Sequence, residues 1–167
     1  MQNADQELIN QFKAFRDYTI ELTKRVPKEL LNEVPSNQSF LGINNREIKI
    51  KTLLAHTGYS VDWWMSNVIK DGKKDIDDWE FVQSDQCDNE YLRKKMEANK
   101  NRIIEYFTRD DGSNFEKQID WEDDGKRHSY TGRQHLFYMF THELNHYGRL
   151  MIALREFGFN SFPWQGC

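Results

Sequence analysis

Apolar residues recur at helical spacing in four separate stretches of this chain, and proline, glycine and Asp-Gly pairs separate them. On an α-helix, positions i, i+3, i+4 and i+7 share a face, so each stretch carries one stripe that must find cover. Leu8, Phe12, Phe15, Ile20 and Leu22 mark the first helix, from about Ala4 to Val26, with Pro27 ending the run. Ile50, Leu53, Leu54, Tyr59, Val61, Trp64 and Val68 mark the second, from about Arg46 to Lys70, before Asp71-Gly72. The third spans about Asn89 to Arg109 with Tyr91, Leu92, Met96, Ile103, Ile104 and Phe107 inward, and Asp111-Gly112 stops it. Thr131, with Gln134 three residues on, is a capping box for a fourth helix running to about Phe157, with Gly158 beyond its end. Four stripes in need of partners predict an all-α fold, a four-helix bundle.

The intervening segments complete the plan. Leu30 to Asn45 reads as a connector and Lys73 to Asp88 as a charged loop. Phe115, Ile119, Trp121 and Tyr130 flank Asp124-Gly125, which predicts a short β-hairpin between the third and fourth helices. Phe159, Phe162 and Trp164 form an aromatic tail expected to fold back on the bundle or to supply a homodimer contact. With 167 residues and no internal repeat or linker, residues 1–167 form a single domain. The net charge is -4 and Lys and Arg alternate with acids, so the basic surface that nucleic acid requires is not expected. The first ten residues are polar and no apolar run reaches about 18 residues, so we expect neither signal peptide nor membrane span, and a cytoplasmic protein. Cys87 and Cys167 belong to no C-x-x-C pair, in keeping with a reducing compartment.

Chemistry concentrates in His142-Glu143-Leu144-Asn145-His146. On a helix the two histidines stand about 40° apart, on the side of Met139, Leu150 and Ala153, and can share one divalent ion. In zinc peptidases such a pentad also provides a general base, here Glu143, but a third ligand must follow it. Position 152 is Ile, and Glu156 lies about 280° round the helix from His146, so the peptidase reading lacks its ligand. The other histidines are upstream. His135 is roughly 10 Å along the axis from His142, and His128 sits in the polar hairpin arm. His56, embedded in the apolar face of the second helix, is the best third ligand. His135 is a neighbour of the site that could close it with a fourth ligand. Tyr59 and Trp63 follow His56 by three and seven residues and could line a cavity, although tryptophans at such spacing are more often core. Arg149, three beyond His146, could hold an anionic substrate. Glu143, Tyr59 and Arg149 are therefore the candidates for catalytic roles.

Leu53-x-x-His56, the aromatic pair Trp63-Trp64, Thr141-His142-Glu143-x-x-His146-x-Gly148 and Leu154-Arg155-x-x-Gly158 occur in that order. As a set they resemble the DinB/YfiT-like superfamily of small metal-binding four-helix bundles, over nearly the whole chain. The resemblance implies that His56, His142 and His146 bind a divalent metal, nickel or zinc, and that the protein is a metal-dependent S-transferase using a low-molecular-weight thiol, or a hydrolase, acting on a small molecule. A non-catalytic stress-response bundle is the alternative. The family's common H-R-G-Q ending reads His146-Tyr147-Gly148-Arg149 here, so contacts beyond the ligands differ.

Overall fold

The computed structural model describes residues 3–36, 48–72, 79–123 and 125–163. The four expected long helices are present: α1 (Asn3–Arg25), α2 (Ile50–Trp63), α4 (Asn89–Thr108) and α5 (Gly132–Glu156). The hairpin before α5 is β1 (Gln118–Asp123) paired antiparallel with β2 (Lys126–Thr131), in register Gln118 to Thr131 and Asp123 to Lys126. Gly125 supplies the positive φ of 71° that its tight turn demands. Among the described residues, no helix is long and apolar enough to cross a membrane.

Local chemistry sets the element ends. The Thr131 hydroxyl accepts from the Gln134 amide while the Gln134 side chain accepts from the Thr131 amide, the expected capping box. Asp88 caps α4 by accepting from the Tyr91 amide at 2.8 Å. At the far end of α5, Gly158 takes φ 76° and the Phe159 amide returns to the Leu154 carbonyl. Gly132 is required for packing: a Cβ there would stand 1.9 Å from the Asn114 carbonyl oxygen.

Two expectations change. The segment read as a charged loop holds a short helix, α3 (Trp79–Gln83). Five residues are too few to display a helical period. α3 persists because Val82 is fully buried and because the Lys51 ammonium caps its last turn, donating to the carbonyls of Gln83 at 3.3 Å and Ser84 at 2.9 Å. The second helix begins at Ile50, after the non-helical Ile48 and Lys49, and widens at its end into a π-helical segment, Trp64–Ile69, closed by Lys70 at φ 55°; the expected start at Arg46 lies outside the described residues. Arg102 of α4 braces this widened turn. Its Nε and Nη2 donate to the two Asp71 oxygens at 2.7 Å, Nη2 also reaches the Ser66 hydroxyl at 2.7 Å, and Nη1 bonds Asp62.

The core divides in two. One cluster gathers Phe15, Leu22, Leu53, Leu54, Leu92, Met96, Tyr147 and Leu150, and covers Phe159 and Phe162 of the tail. The other gathers Ile9, Phe12, Trp64, Ile103, Phe107, Leu136 and Met139. Every long helix passes through both, α2 by way of its π-helical extension, with α1 and α5 running in one sense and α2 and α4 in the other. Between the clusters lies a buried polar layer, with Arg16 from α1, His56, Thr57 and Asp62 from α2, Asn99 and Arg102 from α4, and Glu143 and His146 from α5. α2 and α5 pack directly on each other, which brings the chemistry-bearing parts of both helices together.

Candidate metal centre

His56, His142 and His146 converge within the polar layer. One nitrogen from each lies within 4.8 Å of the other two, and this is the donor group that gathers among the described residues. The rings of His56 and His146 are 4.4 Å apart between centroids, those of His142 and His146 also 4.4 Å, and those of His56 and His142 5.7 Å. The one-turn spacing on α5 and the α2–α5 contact together produce this cluster, as the three ligands chosen from the sequence require.

Electrostatics keep the three rings neutral. Burial depresses His56 to about 4, helped by nearby His142 and Arg149. Burial takes His146 to about 3, aided by His56, His142 and Arg149, and lowers His142 in the same direction. A neutral imidazole presents a lone pair, the form a metal accepts. His142 Nε2 and His146 Nδ1 are both buried with no hydrogen-bond partner among the described residues. Buried polar nitrogens in that condition are unfavourable unless something binds them. Three convergent neutral imidazoles, two of them with a buried ring nitrogen that has no hydrogen-bond partner among the described residues, suit a divalent ion, and His56, His142 and His146 would hold it.

The remaining candidates separate. His135 is buried against Trp64 and Tyr130, at 5.7 and 5.6 Å between centroids, and stands apart from the cluster, so it supplies no fourth ligand. His128 stacks on Trp121 at 4.5 Å. Glu143, the candidate base of the pentad, is 1% exposed and forms a buried ion pair with Arg16. Arg149 is near enough to disfavour protonation of all three histidines. Glu156 is turned away and accepts from the Ser36 amide at 2.8 Å. The Tyr59 side chain lies outside the described residues.

Trp63 departs from its expected core position and is 47% exposed, while Trp64 beside it is buried. Adjacent residues project about 100° apart around a helix, which turns the two rings to different surroundings. Tyr138, also half-exposed, lies over His142 at 6.2 Å and touches Trp64 at 4.9 Å, so an aromatic rim adjoins the histidines. Arg16 and Asp62 are among the buried polar residues that the sequence did not single out. A charged residue within an apolar helical face was the available signal, and Arg16 lies one position past Phe15 and four past Phe12.

A family model covers residues 1–166 of this sequence. The chain belongs to the DinB family. Its fold is also that of a DinB-like protein from Bacillus subtilis, YjoA, whose crystal structure aligns over 95% of this chain and 96% of that one, with a TM-score of 0.65 and 22% identity. No curated protein matches this DinB-family sequence. The family assignment accords with the helical architecture.

Proposed function

We propose that this DinB-family protein is a divalent-metal-dependent enzyme acting on a small molecule, either as an S-transferase that uses a low-molecular-weight thiol or as a hydrolase. The observation that carries the reading is the cluster of three histidines, drawn from two helices and held neutral by burial. Three protein donors leave room for an exchangeable ligand, whereas a purely structural zinc site is closed by four. A divalent ion in such a site acts as a Lewis acid, making a thiol or water nucleophilic near neutral pH.

The chain's own residues define the rest. Arg149 places positive charge beside the histidines, which favours a substrate or thiol bearing an anionic group. Tyr138 offers half-exposed aromatic surface beside His142, able to cover an apolar part of the same molecule. Glu143, buried and paired with Arg16, is poorly disposed to serve as the base of a peptidase. Nickel and zinc both suit imidazole donors, and we favour these two ions.

Metal analysis of purified protein tests the site, and we expect close to one divalent ion per chain. His56→Ala and His146→Ala are expected to lose it, and full occupancy in both variants would refute the assignment. Cobalt-substituted protein then separates enzyme from non-catalytic bundle. A visible spectrum that changes on adding small thiols or azide supports an open site, while one that ignores them supports the non-catalytic reading. A screen of small thiols with electrophilic partners completes the test.

A further inference from the structure

Arg16 is the largest fully buried side chain among the described residues, and it carries a charge. Burying a guanidinium is costly, and an apolar pair of similar volume often packs in such a position at no loss of stability. Its contacts suggest what the charge provides. Nη1 donates to the Thr57 carbonyl at 3.1 Å, and Nη2 donates to Glu143 Oε1. Thr57 directly follows His56, and Glu143 directly follows His142. A single planar group from α1, a helix with no ligand of its own, thus joins α2 and α5 at the points where the ligand histidines leave the backbone.

The guanidinium is itself held from a further side. Burial lowers the Arg16 pKa to about 9, Asp62 lies close enough to offset part of that loss, and Asp62 is bonded by Arg102. Each of the four long helices therefore places one charge in the buried layer, in the alternating order Glu143, Arg16, Asp62, Arg102. Arg16 Nε and Glu143 Oε2 have no hydrogen-bond partner among the described residues, so the two Arg16 bonds to Thr57 and Glu143 carry the join, and sliding α2 against α5 would break them. Apolar contacts above and below the layer resist sliding much less, because they are non-directional.

We propose that Arg16 is the positioning residue of the three-histidine cluster, that its simultaneous hold on Thr57 and Glu143 sets the separation of His56 from His142 and His146, and that Glu143 serves the site as the anchor of this clamp. The proposal rests on the metal-binding reading above. The fork geometry of arginine is essential to it, since one lysine ammonium cannot span both partners in the same way.

Cobalt(II) alone, titrated into metal-free full-length protein, provides the test. The two variants are Arg16→Lys and the apolar pair Arg16→Met/Glu143→Leu, which leaves neither partner's charge buried alone. Both are expected to keep the helical circular dichroism and a cooperative melt without metal. Both are expected to bind cobalt about 10- to 100-fold more weakly than wild type, as loss of a residue that orients ligands does. Their visible cobalt bands should also shift in position and intensity, which a loss of stability alone would not produce. A folded apolar pair with wild-type affinity and spectrum overturns the clamp while leaving the metal site standing. If that pair does not fold, Arg16→Lys decides by the same criteria. Wild-type protein that takes up no cobalt overturns the metal-binding reading itself, a result distinct from either.

Discussion

Acid should destabilise the metal-free protein through its histidine cluster. Unfolded, each histidine has a pKa near 6.5. Folded, His56 is held at about 4 and His146 at about 3, with His142 lowered in the same direction. Between these values the unfolded chain binds protons that the folded chain rejects, so stability falls as pH falls. Lowering the pH from 7 to 5 would cost about 1.8 kcal/mol for each of His56 and His146 if they titrated independently. Water reaches part of the cluster, which screens the effect, so about 2 kcal/mol for the pair is the working figure. For a chain of this size that is a fall in Tm of about 4–8 °C. Calorimetric melts of chelator-treated protein at the two pH values measure it. The same melts on His56→Ala/His146→Ala remove this contribution and retain every other titrating group, so the variant should lose less Tm between pH 7 and pH 5. Equal losses in variant and wild type would refute the claim that the folded cluster excludes protons.

Other outcomes follow from the same structure. Zinc at about 100 times its Kd should stabilise the wild-type protein by about 2.7 kcal/mol, and differential scanning should show that increment vanish in His146→Ala. Gly132→Ala must displace the Asn114 carbonyl, at a cost of about 1–3 kcal/mol in thermal unfolding. Gly148→Ala is the opposite case: nothing lies within 4 Å of the added methyl on an exposed helical position, so a gain of about 0.5–1 kcal/mol is expected in the same assay. Arg102→Met leaves Asp62 and Asp71 buried without the guanidinium, and its urea midpoint should fall by the equivalent of about 3–5 kcal/mol.

Much of this protein is legible in local pattern. Leu53 and Leu54, Leu92 and Met96, and Leu150 repeat at helical spacing and are buried as that spacing requires. Thr131 and Gln134 announce the start of α5, and Gly125 marks the hairpin turn. α3 was not legible, because five residues hold less than two helical turns and Val82 and the Lys51 cap sustain it from elsewhere. The widening of α2 at Trp64 was hidden for a similar reason: helical periodicity continues through it, and only the backbone path to Lys70, whose amide returns to the Met65 carbonyl, reveals the altered turn. His56 could be selected as third ligand because it lies in the buried stripe of its own helix, a local property.

The sequence by itself determined the four long helices, which faces they bury and which three histidines were candidates to meet, because amphipathic period, caps and turns act over a few residues. Tertiary structure alone decided the meaning of Glu143. In the pentad it looks like a base, yet its partner Arg16 lies 127 positions away and no local pattern links the two. A buried charge takes its role from whatever satisfies it, and in this bundle that partner arrives only when α1, α2 and α5 pack together.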